Sequence, residues 1–179
     1  MRKILSIFLI SILTFLLTAC HQYRTADIGN YRDFTSHGEY GIYGKLDIFP
    51  EVLPDKLQDS NYHYRFIDTF LDTTCLIYLD LTLTEDEYHK EEERISKLNG
   101  GGELKIPIIY DEENFRYPAY VASLGYNCTN EYALMIEENF RIVYVFTQFV
   151  SKSDIPFDLS LLPRGYIGYG DCRESYTIY

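Results

Sequence analysis

The sequence predicts an α+β domain, mainly antiparallel β-sheet with one helix packed on a face. Three stretches carry this expectation. Cys75 to Leu83 alternates strictly, with Cys75, Ile77, Leu79, Leu81 and Leu83 on one side. That period of two is the signature of a half-buried strand. Thr84-Glu85-Asp86-Glu87 follows at once and has the spacing of a helix-starting capping box. Tyr132–Ile136 and Arg141–Phe149 are two further strand-like runs, separated by Glu137-Glu138-Asn139 as a hairpin turn.

Each element has its own local reason. Residues 62 to 70 alternate Tyr62, Tyr64 and Phe66 against His63, Arg65 and Ile67, and should pair with Cys75–Leu83 as a hairpin. The helix should run from Thr84 to about Leu98 and stop at Gly100-Gly101-Gly102. Tyr88, Ile95 and Leu98 give it a narrow apolar stripe. Glu91, Glu92 and Glu93 are consecutive, so they should fan around the helix as a solvated face and not as a pair of catalytic carboxylates. Leu104–Tyr110 is a short strand interrupted by Pro107, and Tyr117–Leu124 is another strand. In Arg141–Phe149, Val143, Val145, Thr147 and Phe149 share one side, and Ile142, Tyr144, Phe146 and Gln148 the other. The expected order is β-β-α-β-β-β, with a β-sandwich carrying one helix as the alternative.

The amino-terminal stretch is of another kind. Arg2 and Lys3 precede a nearly unbroken Ile, Leu and Phe run from Ile4 to Leu17. The run is about 14 residues, short of the roughly 20 needed to span a bilayer comfortably. It closes on Leu17-Thr18-Ala19-Cys20. A basic head, an apolar middle and a small-residue exit describe a secretory signal peptide. With cysteine directly after the small residue, Leu-Thr-Ala-Cys resembles the lipobox of bacterial lipoprotein precursors. The resemblance covers residues 1–20 alone. It implies a diacylglyceryl group on the Cys20 sulfur and cleavage between Ala19 and Cys20, with the mature protein held on the cell membrane by fatty acyl chains, facing outside the cytoplasm. The chain then divides into a signal peptide (1–19), a lipidated cysteine and tether (20–45), and a single globular α+β domain (46–179). The tether is read from polar sequence with Gly29, Gly38, Gly41 and Gly44 and no sustained apolar period.

Charge narrows the partners. The chain carries −11, and losing Arg2 and Lys3 with no acidic residue takes it to −13. Such a balance opposes nucleic acid and a broad grip on anionic lipid. Three cysteines follow Cys20, namely Cys75, Cys128 and Cys172. Cys75 lies in the apolar strand and reads as a buried thiol. Cys128 and Cys172 sit in polar, glycine-rich surroundings and are the candidate disulfide, against three unpaired thiols as the alternative.

No catalytic, metal or cofactor pattern is present. The four histidines, His21, His37, His63 and His89, have no partner at ligand or nucleophile spacing. Phosphate-loop, Gly-x-Ser-x-Gly and His-Glu-x-x-His motifs are absent. The eighteen tyrosines beside no tryptophan are the compositional oddity. Tyr166, Tyr169, Tyr176 and Tyr179 could line a recognition patch, or tyrosines could simply fill half-buried sheet positions. The expected function is a non-enzymatic binding or structural domain that meets envelope proteins or polymer. The alternative is a cell-envelope hydrolase whose residues converge only in three dimensions.

Overall fold

A computed structural model describes residues 21–32, 34, 46–68, 73–98, 108–126, 128–166 and 168. Its strands are β1 (His21–Thr25), β2 (Leu57–Asp68), β3 (Thr73–Leu83), β4 (Ile109–Asp111), β5 (Ala119–Tyr126), β6 (Thr129–Ile136) and β7 (Arg141–Gln148). One helix, α1 (Glu85–Ser96), lies between β3 and β4. Among the described residues, all seven strands form one sheet in the order β1-β2-β3-β7-β6-β5-β4. Every neighbouring pair is antiparallel. The class is therefore α+β and mainly β, and the described strands make one sheet and not a sandwich of two. The order differs from the expected one, because a strand precedes β2 and four follow the helix.

The topology is two meanders closed on each other. β1, β2 and β3 are sequential neighbours, and so are β4 to β7. The chain passes from the middle of the sheet to its far edge by way of α1, then returns until β7 pairs with β3. Alternation fixes the register, since a one-residue slip would turn each buried side chain to the other face. Tyr62, Tyr64 and Phe66 oppose Leu79, Ile77 and Cys75. These in turn oppose Tyr144, Phe146 and Gln148.

Both faces of the sheet are covered, by different means. On one face the Cys75–Leu83 row, Tyr62, Tyr64, Tyr144 and Ala133 pack beneath Tyr88 and Ile95 of α1 and beneath Ile48 and Phe49. On the other, Tyr78, Val143, Val145 and Tyr132 pack beneath Phe115 and Leu161. Each fully buried Leu or Ile contributes roughly 1.5–3 kcal/mol. Phe157 stacks on Tyr78 at 4.3 Å on this face, and Asp154 reaches Arg65 of β2.

The predicted helix start is present. Thr84 is the N-cap and its hydroxyl accepts the Glu87 amide at 3.4 Å. Glu85, Asp86 and Glu87 occupy the first turn, where the helix dipole favours them. The glycines expected to end α1 lie outside the described residues. The hairpin turn is a 3-10 turn over Glu137–Asn139 that closes through Phe140 at φ 52°.

The stretch read as a tether departs from expectation. His21–Thr25 is a strand, with Tyr23 opposite Phe66 and Arg24 opposite Arg65. Asp27 caps a 3-10 turn at Ile28–Asn30, and Tyr31 is buried with its hydroxyl donating to the Pro50 carbonyl at 2.7 Å. The strand escaped notice because it is short and polar, as edge strands are.

Candidate functional site

The sheet has two unlike ends. At one, His21 stands opposite Asp68, Thr73 opposite Asp68, and Thr129 opposite Gln148, with Cys128 just beyond. Cys20 is the next residue toward the amino terminus from His21. Ala19 and Cys20 themselves lie outside the described residues. At the other end Thr82 pairs with both Asp59 and Arg141, α1 begins, and Glu137 and Glu138 make the β6–β7 turn.

On the second face, at the β1 side of the sheet, Arg24 and Arg65 are direct cross-strand partners. Like charges set opposite each other on neighbouring strands are destabilising. Their local compensation is slight. With the Gln22 amide turned oxygen-first, its carbonyl accepts two hydrogen bonds from exposed Arg24 at 2.6 Å. Arg65 lies 3.7 Å from an Asp154 carboxylate whose side chain is 44% exposed. Arg65 Nε is buried and makes no hydrogen bond among the described residues. His63 stands on the same face, its ring 6.0 Å from Tyr78.

A second polar cluster lies under α1. Glu91 is 7% exposed and takes the inner position between Tyr88 and Ile95, a spacing of three and four residues on one helix face. The expectation of a solvated face thus fails for Glu91, while Glu92 stays outside beside His89 at 3.3 Å. The Arg94 guanidinium grips both Glu91 oxygens, at 2.8 and 2.6 Å, and Tyr144 donates to Oε1 at 2.5 Å. Burial, reinforced by the Glu91 charge, pushes the Tyr144 hydroxyl pKa up, so it stays a donor. Arg94 also donates to the Ile48 carbonyl at 2.6 Å. The Ile48 amide donates to Glu131, whose buried carboxyl has its pKa pushed up to about 8 chiefly by loss of solvent. The cluster is internally satisfied and pins residues 46–50 across the sheet, which is a structural role.

The residues singled out in the sequence are dispersed. His63 is on β2 and His89 on α1, and His37 lies outside the described residues. Among the described residues no group of three or more His, Cys, Asp or Glu side chains could hold a metal ion. Tyr166 donates to the Val150 carbonyl at 2.8 Å. Tyr169, Tyr176 and Tyr179 lie outside the described residues, whereas Tyr62, Tyr64, Tyr132 and Tyr144 are core residues. Cys75 is a buried free thiol whose pKa burial raises. Cys128 is disulfide-bonded, and Cys172 lies outside the described residues. Sequence reasoning missed the arginine pair because the pairing depends on strand register. It missed Glu131 because nothing local marks a carboxylate in a strand as buried.

No family model, no curated protein and no solved structure matches the chain.

Proposed function

We propose that the chain is a lipoprotein precursor, acylated on Cys20 and cut between Ala19 and Cys20, that holds a non-enzymatic binding or structural domain on the outer side of the cell membrane. The observation that supports this reading is how near the sheet comes to Cys20. Among the described residues, His21, directly after Leu17-Thr18-Ala19-Cys20, is already paired in the sheet. Cleavage there would leave each described strand intact. A cut a few residues later would remove the β1 edge. None of the described helices is long and apolar enough to cross a membrane, so the acyl group would supply the attachment.

Because β1 follows the anchor without a spacer, the sheet would sit close to the leaflet and would not swing on a tether. The dispersal of His63 and His89 and the burial of most described tyrosines favour a scaffold over a catalytic centre. Mass spectrometry of the purified mature protein tests the reading. The amino-terminal peptide should begin at Cys20 and carry fatty acyl mass, and Cys20→Ser should leave the precursor uncut. An amino terminus elsewhere, or an unmodified Cys20, would refute it.

A further inference from the structure

Resting on the assignment of Cys20 as the acylated residue, we propose that Arg24 and Arg65 form a docking edge for the phosphate groups of anionic phospholipid in the leaflet that holds the anchor. Two arginines are held opposite each other, Arg24 on the β1 edge of the described sheet and Arg65 on the adjoining β2, at a cost in repulsion that the Gln22 carbonyl and the Asp154 carboxylate offset in part. A guanidinium fork matches phosphate geometry, and two forks side by side suit a surface of phosphates better than either does alone. Arg24 is four residues from Cys20, about 14 Å along an extended strand, so a group at the anchor brings the pair within reach of neighbouring headgroups.

The charges on other described residues bear on how the contact would be oriented. Asp59, the Glu85-Asp86-Glu87 turn of α1 and the Glu137-Glu138 turn all lie at the opposite end of the sheet from His21. Nearer the anchor, Asp68 is engaged by the Thr73 hydroxyl at 3.1 Å, Asp154 faces Arg65, and Asp27 just past β1 accepts the Gly29 amide. An anionic leaflet therefore repels the far end and attracts the β1 edge, which turns the domain as well as holding it. Salt should loosen this contact, since exposed pairs are screened beyond about 10 Å at ordinary ionic strength.

Amide hydrogen exchange of β1 tests this on the mature acylated protein, reconstituted in phosphatidylcholine vesicles with or without about a third phosphatidylglycerol. Retention on the neutral vesicles reports the acyl anchor alone, so its loss refutes the anchor and the docking together. With retention intact, β1 exchange should slow about fivefold or more on the anionic vesicles. Arg24→Gln, at an exposed position, should abolish most of that slowing, and Lys90→Gln, the same charge change on α1, should leave it. Equal exchange on both vesicles, or slowing that survives Arg24→Gln, overturns the proposal. Equal slowing by inorganic phosphate without vesicles also overturns it, because the edge would then be a site for a soluble anion.

Discussion

The Ile48 amide donates to Glu131 Oε1 at 2.8 Å, joining positions 83 residues apart beneath α1. The same residue's carbonyl accepts from Arg94. One peptide segment is thus held from the sheet and from the helix at once.

Glu131 makes stability depend on pH in a defined direction. Its pKa is about 8 in the folded protein against an ordinary 4.5, mainly because burial disfavours the charge. Between those values the folded state holds a proton that the unfolded state has lost. The contribution is complete below pH 4.5 and disappears as pH rises through about 8. Thermal melts of the wild type should show stability falling across that window, by up to about 1.4 kcal/mol per pH unit from this group. Glu131→Gln should flatten the slope and leave the variant the more stable of the two on the alkaline side. Parallel slopes for the two proteins would reject this account.

The partner of Cys128 should be Cys172. Cys75 is free, and Cys20 adjoins β1, four strands away from β6 in the sheet. Four spacings of roughly 4.8 Å are about 19 Å, beyond the 7 Å or so that a disulfide tolerates between Cα atoms. Gly168, by contrast, packs so closely on Val150 and Lys152 that an added Cβ would lie 3.0 Å from the Lys152 nitrogen. Phe149 in turn donates its amide to the Cys128 carbonyl at 3.3 Å. Non-reducing peptide mapping should recover a Cys128–Cys172 peptide, and reduction should cost about 2–4 kcal/mol. Recovery of Cys128 with any other cysteine would contradict the geometry.

Asp80 should be the costliest single charge to remove from the second face. Both its oxygens accept from Arg141 at 2.7 Å, and Oδ2 also accepts from Tyr78 at 2.8 Å. The hydrogen bond to Asp80 raises the Arg141 pKa further, so the cation persists at any working pH. Asp80→Ala leaves a half-buried guanidinium and a phenol without their acceptor. Urea titration should show a loss of about 2–3 kcal/mol, with Asp80→Asn in between. A loss under half a kcal/mol would mean water replaces the carboxylate freely.

Glu91 and Glu92 are adjacent in sequence and should respond oppositely to truncation. Glu91→Ala strips Arg94 and Tyr144 of a shared, buried acceptor and should cost about 3 kcal/mol. Glu92→Ala removes an exposed contact with His89 and should stay within about 0.5 kcal/mol. Similar values from chemical denaturation would mean that the helix face is assigned wrongly.

Where side-chain alternation was strong, the strands were legible. The Cys75–Leu83 row, the Tyr62-Tyr64-Phe66 row and the β6–β7 hairpin all follow from period two alone, and the start of α1 follows from Thr84 and Glu87. Such signals are local, written within a few residues by burial on one side. The strand β1 could not be read this way, because a short strand with Tyr23 as its one apolar residue carries almost no apolar period. The buried carboxylates were hidden for a related reason. Glu91 sits on the helix stripe defined by Tyr88 and Ile95, but its partners Arg94, Tyr144 and Ile48 converge only through tertiary contact. The Arg24–Arg65 pair likewise depends on β1 meeting β2 in one register.

The pairing of β7 with β3 has a kinetic corollary. A chain delivered amino end first can complete its opening ribbon of three strands early, yet the inner border of β3 finds its mate only when residues 141–148 arrive. Until then Leu79 and Ile77 line an open seam, ready to recruit any extended stranger. Completion of the described sheet therefore waits on β7, and a stall before that point would strand a sticky half-sheet.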